Sequence, residues 1–374
     1  MLCGVLLLLT LCGESTATSD LIPTPVLTIQ SPDGDIIDCI NRMDQSSLKN
    51  PLLKNHMFQE FLSHLVKTEE EGLGWQVWHA SGTCPRGTIP MRRFETNSTH
   101  NKNNPLISDA ADRATRGHKY AIAQIENQSF YGTKATFNVW TPVVESLDDF
   151  SLAQIWLVSG QYETNDLNTI EAGWQRDAYI GTGCYSTHCV GFVHISSIIA
   201  VEAAIAGTSI VGGNQFDITL QICKDPLSGN WWLGMGVDFV PIGYWPVEIF
   251  TTLSDHASRI QYGGEVLLYG NTSGVSTITQ MGSGKFPDKG FGKSASFCNI
   301  QIAQENRTLL PLQNFNFTLG YTLRDSYTIK KAHNQACGTH FYYGGPGPVR
   351  SVSVRANRIS FTCFVFVVLF VFVV

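Results

Sequence analysis

Two glutamates sit in stretches that otherwise read as sheet. In Asn168–Trp174, NTIEAGW, Glu171 lies between Ile170 and Trp174. Side chains alternate along a strand, so Ile170, Ala172 and Trp174 share one face while Thr169, Glu171 and Gly173 share the other. In QYGGEVLLYG, residues 261–270, Glu265 shares its face with Gly263, Leu267 and Tyr269. Each acid has a glycine two positions away, and a missing side chain leaves a hollow into which a substrate backbone can settle. The separation of 94 residues (265 − 171) is no obstacle, because strands distant in the chain can be neighbours in a sheet. Two carboxyls over one groove would do acid–base chemistry: like charges at short range cannot both ionise cheaply, so one keeps its proton. The ionised member then takes a proton from water and the neutral one donates. The plain alternative is a pair of strand glutamates pointing at solvent, and the two segments alone leave both readings open.

Other chemistries fit less well. Gly292-Lys293-Ser294 ends like a phosphate-binding loop, but the glycine required five places earlier is Pro287, and no strand–loop–helix surrounds it. His188 and His194 are interleaved with Cys184 and Cys189 in an order that matches no zinc motif. No G-x-S-x-G elbow and no papain-like cysteine signature is present. Metal-free, cofactor-free carboxylate chemistry is the enzymatic option that survives.

The elements that must position these acids are short. From about residue 117, runs such as KATFNVWTPVV, FSLAQIWLVSG, FDITLQICKD and GGEVLLYG alternate or are wholly apolar, and Gly, Asn, Asp or Pro punctuates them. That spacing predicts an all-β fold, an antiparallel sandwich or barrel. One helix is predicted, over residues 246–261, from Ile249, Leu253, Ala257 and Ile260. The N-terminal part is mixed: Leu53, Met57, Phe58, Leu62 and Leu65 recur at helical spacing. The polar ETNSTHNKNNP, residues 95–105, follows as a loose linker. A cysteine-linked unit before such a linker is the layout of a cleavable pro-segment or of an ordinary N-terminal subdomain.

Composition points outside the cell. Only 15% of the 374 residues are charged, against roughly 25% in ordinary domains, and there are 34 glycines. A net charge of −6 argues against nucleic acid, which needs a basic surplus. Residues 1–19 have the order of a secretory signal, with an apolar stretch from Leu2 to Cys12 and small residues after it. In an oxidising compartment cysteines pair by default. Of the seven between residues 20 and 345, Cys184 with Cys189, Cys39 with Cys84 and Cys298 with Cys337 are the economical pairs, and Cys223 is left free. Five N-x-S/T sequons, at Asn97, Asn127, Asn271, Asn306 and Asn316, mark expected glycosylation sites on surface loops. The tail, 346–374, ends in an apolar block from Ile359 behind a spacer with Arg350, Arg355 and Arg358. It could be a lipid-anchor signal, a marginal membrane segment, or a misassigned end of the gene.

The chain resembles the neprosin family of secreted plant proteins. DIIDCI…PLLKNH (35–56) is similar to the family's N-terminal activation segment, and CPRGTIPMRR (84–93) to the stretch that closes it. QIWLVSG, TIEAGWQ, GCYSTHCVGFVH, DPLSGNWWLG, IGYWP, GGEV and MGSGKFPDKG follow in family order, over roughly residues 35–345. The resemblance implies a β-sandwich of two antiparallel sheets and an acid-active glutamic prolyl endopeptidase made with an inhibitory pro-segment. It places the catalytic pair at Glu171 and Glu265, with Glu248 the other acid in a family-like block. The divisions are then 1–19 signal, 20–112 activation segment with linker, 113–345 catalytic sandwich and 346–374 tail.

On this reading the substrate is a proline-containing peptide or protein. Trp174, Tyr244 and Trp245, with Trp231 and Trp232, are the aromatics expected to stack on the proline ring, and Gln154 is a candidate oxyanion donor. Processing is expected in residues 95–117, and His56, His64, His79 and His118 could take up charge as pH falls. The family ends soon after a G-G-P-G stretch; here Gly344–Gly347 is followed by the apolar tail, which allows membrane attachment. The rival reading is a non-catalytic secreted protein that binds peptide or glycan in the same groove; glycoside hydrolysis also uses two carboxyls.

Overall fold

A computed structural model describes residues 23–60, 76–93, 117–146, 149–161, 163–176, 191–268, 277–347 and 368–373. The expected signal peptide, Cys184, Cys189, Asn97, Asn271, His64 and nearly all of the processing window lie outside them.

The N-terminal part expected to be the activation segment carries three strands, β1 (Leu27–Gln30), β2 (Ile36–Asn41) and β3 (Thr88–Arg92), paired antiparallel in the order β1-β2-β3. Between β2 and β3 the described helical turns are short 3₁₀ pieces; Asn41 caps Arg42–Asp44 and Asn50 caps Pro51–Leu53, each through a side-chain oxygen. Cys39 and Cys84 are bridged.

The remaining described strands form two sheets. One runs β15 (Thr318–Tyr321), β4 (His118–Phe130), β12 (Ala257–Leu267), β6 (Phe150–Ser159), β7 (Asn168–Arg176) and β18 (Val368–Val373). The other runs β16 (Thr328–Asn334), β17 (Gly338–Gly344), β13 (Ala295–Ala303), β5 (Gly132–Asn138), β9 (Asp217–Lys224), β10 (Trp231–Met235), β11 (Val240–Trp245) and β8 (Val193–His194), with β14 (Leu309–Pro311) also on β13. Ile155, Ala172, Trp174, Ile260 and Tyr262 from the first sheet share one buried core with Phe137, Leu220, Leu233, Ile242, Phe297 and Phe341 from the second. That common interior makes the molecule a sandwich of two antiparallel sheets, and each large side chain so buried contributes about 1.5–3 kcal/mol. On β9 the alternation is visible in burial: Ile218, Leu220 and Ile222 face in.

The predicted helix over 246–261 does not form. Val247–Ile249 is a single 3₁₀ turn, and β12 begins at Ala257. The carboxamide oxygen of Asn168 accepts the backbone N–H groups of Thr251, Thr252 and Leu253 and so organises a turn there. A register shift between Ala257 and Arg259 lets Ala257 and Ile260, three apart, both face the core. A bulge thus imitates helical periodicity.

The activation segment docks on 193–205 through two glutamine carboxamides. Gln45 donates to the carbonyl of His194 (3.0 Å) and accepts its N–H (2.8 Å). Gln76 does the same with Ala200, at 2.7 and 2.9 Å. Ile29, Ile37, Cys39, Trp78 and Cys84 bury against Ala200 and Ala203, so the segment's small core is completed by the sandwich.

Candidate active site

Glu171 and Glu265 lie on the outer face of the six-stranded sheet, on β7 and β12, with β6 between them. Gln154, at the centre of β6, is opposite Gly173 on one side and Gly263 on the other. Both glycines are obligatory. A Cβ at Gly173 would stand 2.0 Å from the Ala153 carbonyl oxygen, and one at Gly263 2.2 Å from that of Ala121; Gly263 also has φ +151°. The two glycines therefore let β6 lie close against its neighbours, and Gln154 stands between the acids with a glutamate at each diagonal.

Gln154 Nε2 donates to Glu171 Oε2 at 2.8 Å, and Thr169 Oγ1 donates to Oε1 at 2.9 Å. Glu171 nevertheless titrates high, at about 7. Removal from water is the main cause and the neighbouring Glu265 charge the next; the two hydrogen bonds and the His118 imidazole oppose it. Glu265 is 5% exposed and pairs with Nδ1 of His118. Across the strand from Glu171 stands Trp156, buried with Phe150, Leu152 and Val158.

Several expectations about the site need correction. Trp174 and Trp245 are fully buried in the sandwich interior, as is Trp231. Trp174 is three residues from Glu171 and so of opposite parity, and its Nε1–H is donated to the Asn138 carbonyl. Tyr244 is wholly buried beneath the activation segment, where its hydroxyl meets His56 Nε2 (2.9 Å) and the Gln59 N–H (3.0 Å). None of the three shares the face of the glutamates; Trp156 and Phe150, of the same parity as Gln154 on β6, and Tyr120, opposite Glu265, do. Glu248 pairs with His56 at 2.9 Å, also at the activation segment.

The Cys298–Cys337 bridge is in place, and Cys223 is the unpaired cysteine among the described residues. Burial pushes its thiol up to about 12, which leaves it unreactive. Asn127, Asn306 and Asn316 are exposed. Sequence reading placed His118 among acid-sensing histidines and missed its contact with Glu265. The available signal was the alternation His118, Tyr120, Ile122 along GHKYAIA, which puts the ring on the glutamate face.

The neprosin family model matches residues 147–346, more than half of the chain, and the neprosin activation peptide model matches residues 28–124. The chain belongs to the neprosin family. Among solved structures it is similar to a scytalido-glutamic peptidase bound to a peptide-based transition state analogue, at 11% identity over 62% of this chain and 98% of that one, with a TM-score of 0.30.

Proposed function

We propose that this neprosin-family chain is an acid-active endopeptidase of the glutamic type, in which Glu171 and Glu265 activate one water against a peptide carbonyl. The observation that carries this reading is the unequal environment of the two acids. Glu171 is held up to about 7 by burial and by its neighbour, whereas Glu265 faces an imidazole. A carboxyl so raised suits the acid role, and its neighbour beside the imidazole is left the base role. In acid, Glu171 carries the proton and Glu265 is the carboxylate. Glu265 takes a proton from water as the oxygen bonds to the scissile carbon. Glu171 hydrogen-bonds the carbonyl oxygen, then gives its proton to the departing nitrogen as the C–N bond breaks. Passage of the proton on Glu265 to Glu171, directly or through solvent, resets the pair.

Preference for proline comes from the family resemblance, and Trp156 offers an apolar ring beside Glu171 for the pyrrolidine to pack on. The same reading has the chain exported as a zymogen, in keeping with two disulfides and three exposed sequons among the described residues. The test is cleavage of a proline-containing quenched peptide after acidification, with Glu171→Gln and Glu265→Gln as controls. Turnover abolished in both variants supports the proposal. Peptide binding without turnover by the unaltered chain selects the non-catalytic reading.

A further inference from the structure

His118 opens β4 at the point where the described chain resumes after the linker. The Gly117 carbonyl accepts the Leu268 N–H at 3.1 Å, so the strand is pinned from its first residues. In the β4–β12 register His118 is opposite Leu267, and Glu265 is opposite Tyr120. Histidine and glutamate are therefore diagonal neighbours on one face, within reach of long side chains. The ring is fixed on two sides: it stacks on Tyr120 at 6.2 Å with 14° between planes, and meets the Phe150 edge at 5.8 Å. Its Nδ1 contacts Glu265 Oε1.

We infer that His118 is a positioning residue of the site: its Nδ1–H holds the Glu265 carboxylate toward the hollow, and its positive charge in acid keeps that carboxylate the ionised member. This rests on the peptidase reading above. The described titratable groups about the ring are Glu171 on β7, Glu265 on β12, and Lys119 and Tyr120 on its own strand; Phe150 on β6 and Thr322 beyond β15, which bonds the Tyr120 N–H, are uncharged. Opposite charge at contact distance favours the carboxylate form, and a hydrogen bond to that form acts in the same direction. A consequence concerns maturation. A cut anywhere before Gly117 leaves His118 in place, while a chain beginning at Lys119 lacks it.

The experiment uses the full chain, matured by acid, with His118→Phe and His118→Asn. Phenylalanine keeps the stacking and removes the donor; asparagine keeps a donor near the Nδ1 position and removes the charge. For His118→Phe, kcat should fall about 10- to 100-fold with KM little changed, and the acid limb of kcat/KM should move up by about one pH unit. His118→Asn should recover most of kcat but keep the displaced limb. A profile for His118→Phe within twofold of the unaltered enzyme, while Glu265→Gln is inactive, overturns the inference and leaves the peptidase reading standing. If the unaltered chain hydrolyses nothing, the peptidase reading fails, and ¹⁵N spectra of the imidazole still decide the contact. In alkaline buffer His118 should carry its proton on Nδ1, and Glu265→Ala should return it to the Nε2–H tautomer usual in water. An Nε2–H tautomer in the unaltered protein refutes the pairing.

Discussion

Gln154 on β6 reaches across to β7 and donates Nε2–H to Glu171 Oε2 at 2.8 Å, while its own Oε1 is buried without a partner among the described residues. An unpaired buried acceptor is costly in a resting fold, and it sits where an incoming N–H or water could satisfy it. Replacing Gln154 with Met should remove the donor that opposes the high titration of Glu171. The basic limb of the pH–rate profile should then move further up, and kcat should drop about 10- to 100-fold. A profile unchanged in both respects would show that the carboxamide only fills space.

The raised titration of Glu171 has a sign in stability. The folded chain holds this proton up to about pH 7, whereas an unfolded chain releases it near the ordinary 4.5. The contribution is therefore fully present below pH 4.5 and lost as pH rises through 7. Glu171→Gln should remove that slope and raise neutral-pH stability by about 1 kcal/mol or more, a shift of a few degrees in melting temperature. Glu171 keeps some solvent contact, which holds the expected gain to that modest size. Melting curves across this pH interval that fall in parallel for both proteins would refute the assignment.

Gly173→Ala should be among the most damaging substitutions in the molecule. The added methyl would meet backbone of β6, 2.0 Å from the Ala153 oxygen and 2.6 Å from the Gln154 Cα, and neither can step aside as a flexible side chain could. A loss of about 3 kcal/mol or more is expected by denaturant unfolding. A stable, soluble Gly173→Ala protein would mean that β6 and β7 approach less closely than described.

His56 should act as a latch for the activation segment. Its side chain is 3% exposed, with Nδ1 on Glu248 and Nε2 on the Tyr244 hydroxyl, and that hydroxyl also accepts the Gln59 N–H. With Nδ1–H donated to Glu248, Nε2 of the neutral ring accepts from Tyr244; protonation puts a hydrogen on Nε2 and forces the hydroxyl to turn. His56→Phe should leave Tyr244 without that partner, loosen docking by about 1–3 kcal/mol, and speed amide exchange over residues 41–59 at neutral pH. Equal exchange rates in the two proteins would remove His56 from any role in retaining the segment.

Much of the fold was legible along the chain, because strands announce themselves through alternation. Ile170, Ala172 and Trp174 face the core, as the spacing predicts, which leaves Glu171 on the opposite face. The pairs Cys39–Cys84 and Cys298–Cys337 are the ones that economical spacing along the chain predicts. The false helix at 246–261 shows the limit of the method: a turn organised by the remote Asn168 carboxamide, followed by a bulge, gives apolar spacings of three and four without a helix. The aromatics failed for a related reason. Periodicity assigns a parity to Trp174, Tyr244 and Trp245, but cannot say that an interior or an activation segment waits on that side.

Local sequence thus determined which residues are acids, where glycine empties a strand face, and which side of each strand is apolar, since these depend only on residue type and a two-residue period. Tertiary structure alone decided that β6 separates the two glutamates, that His118 faces Glu265, and that residues 368–373 of the apolar tail pair along the β7 edge. These are matters of strand order and register between segments far apart in the chain. Register is settled by the packing of whole sheets, and no short stretch of sequence carries it.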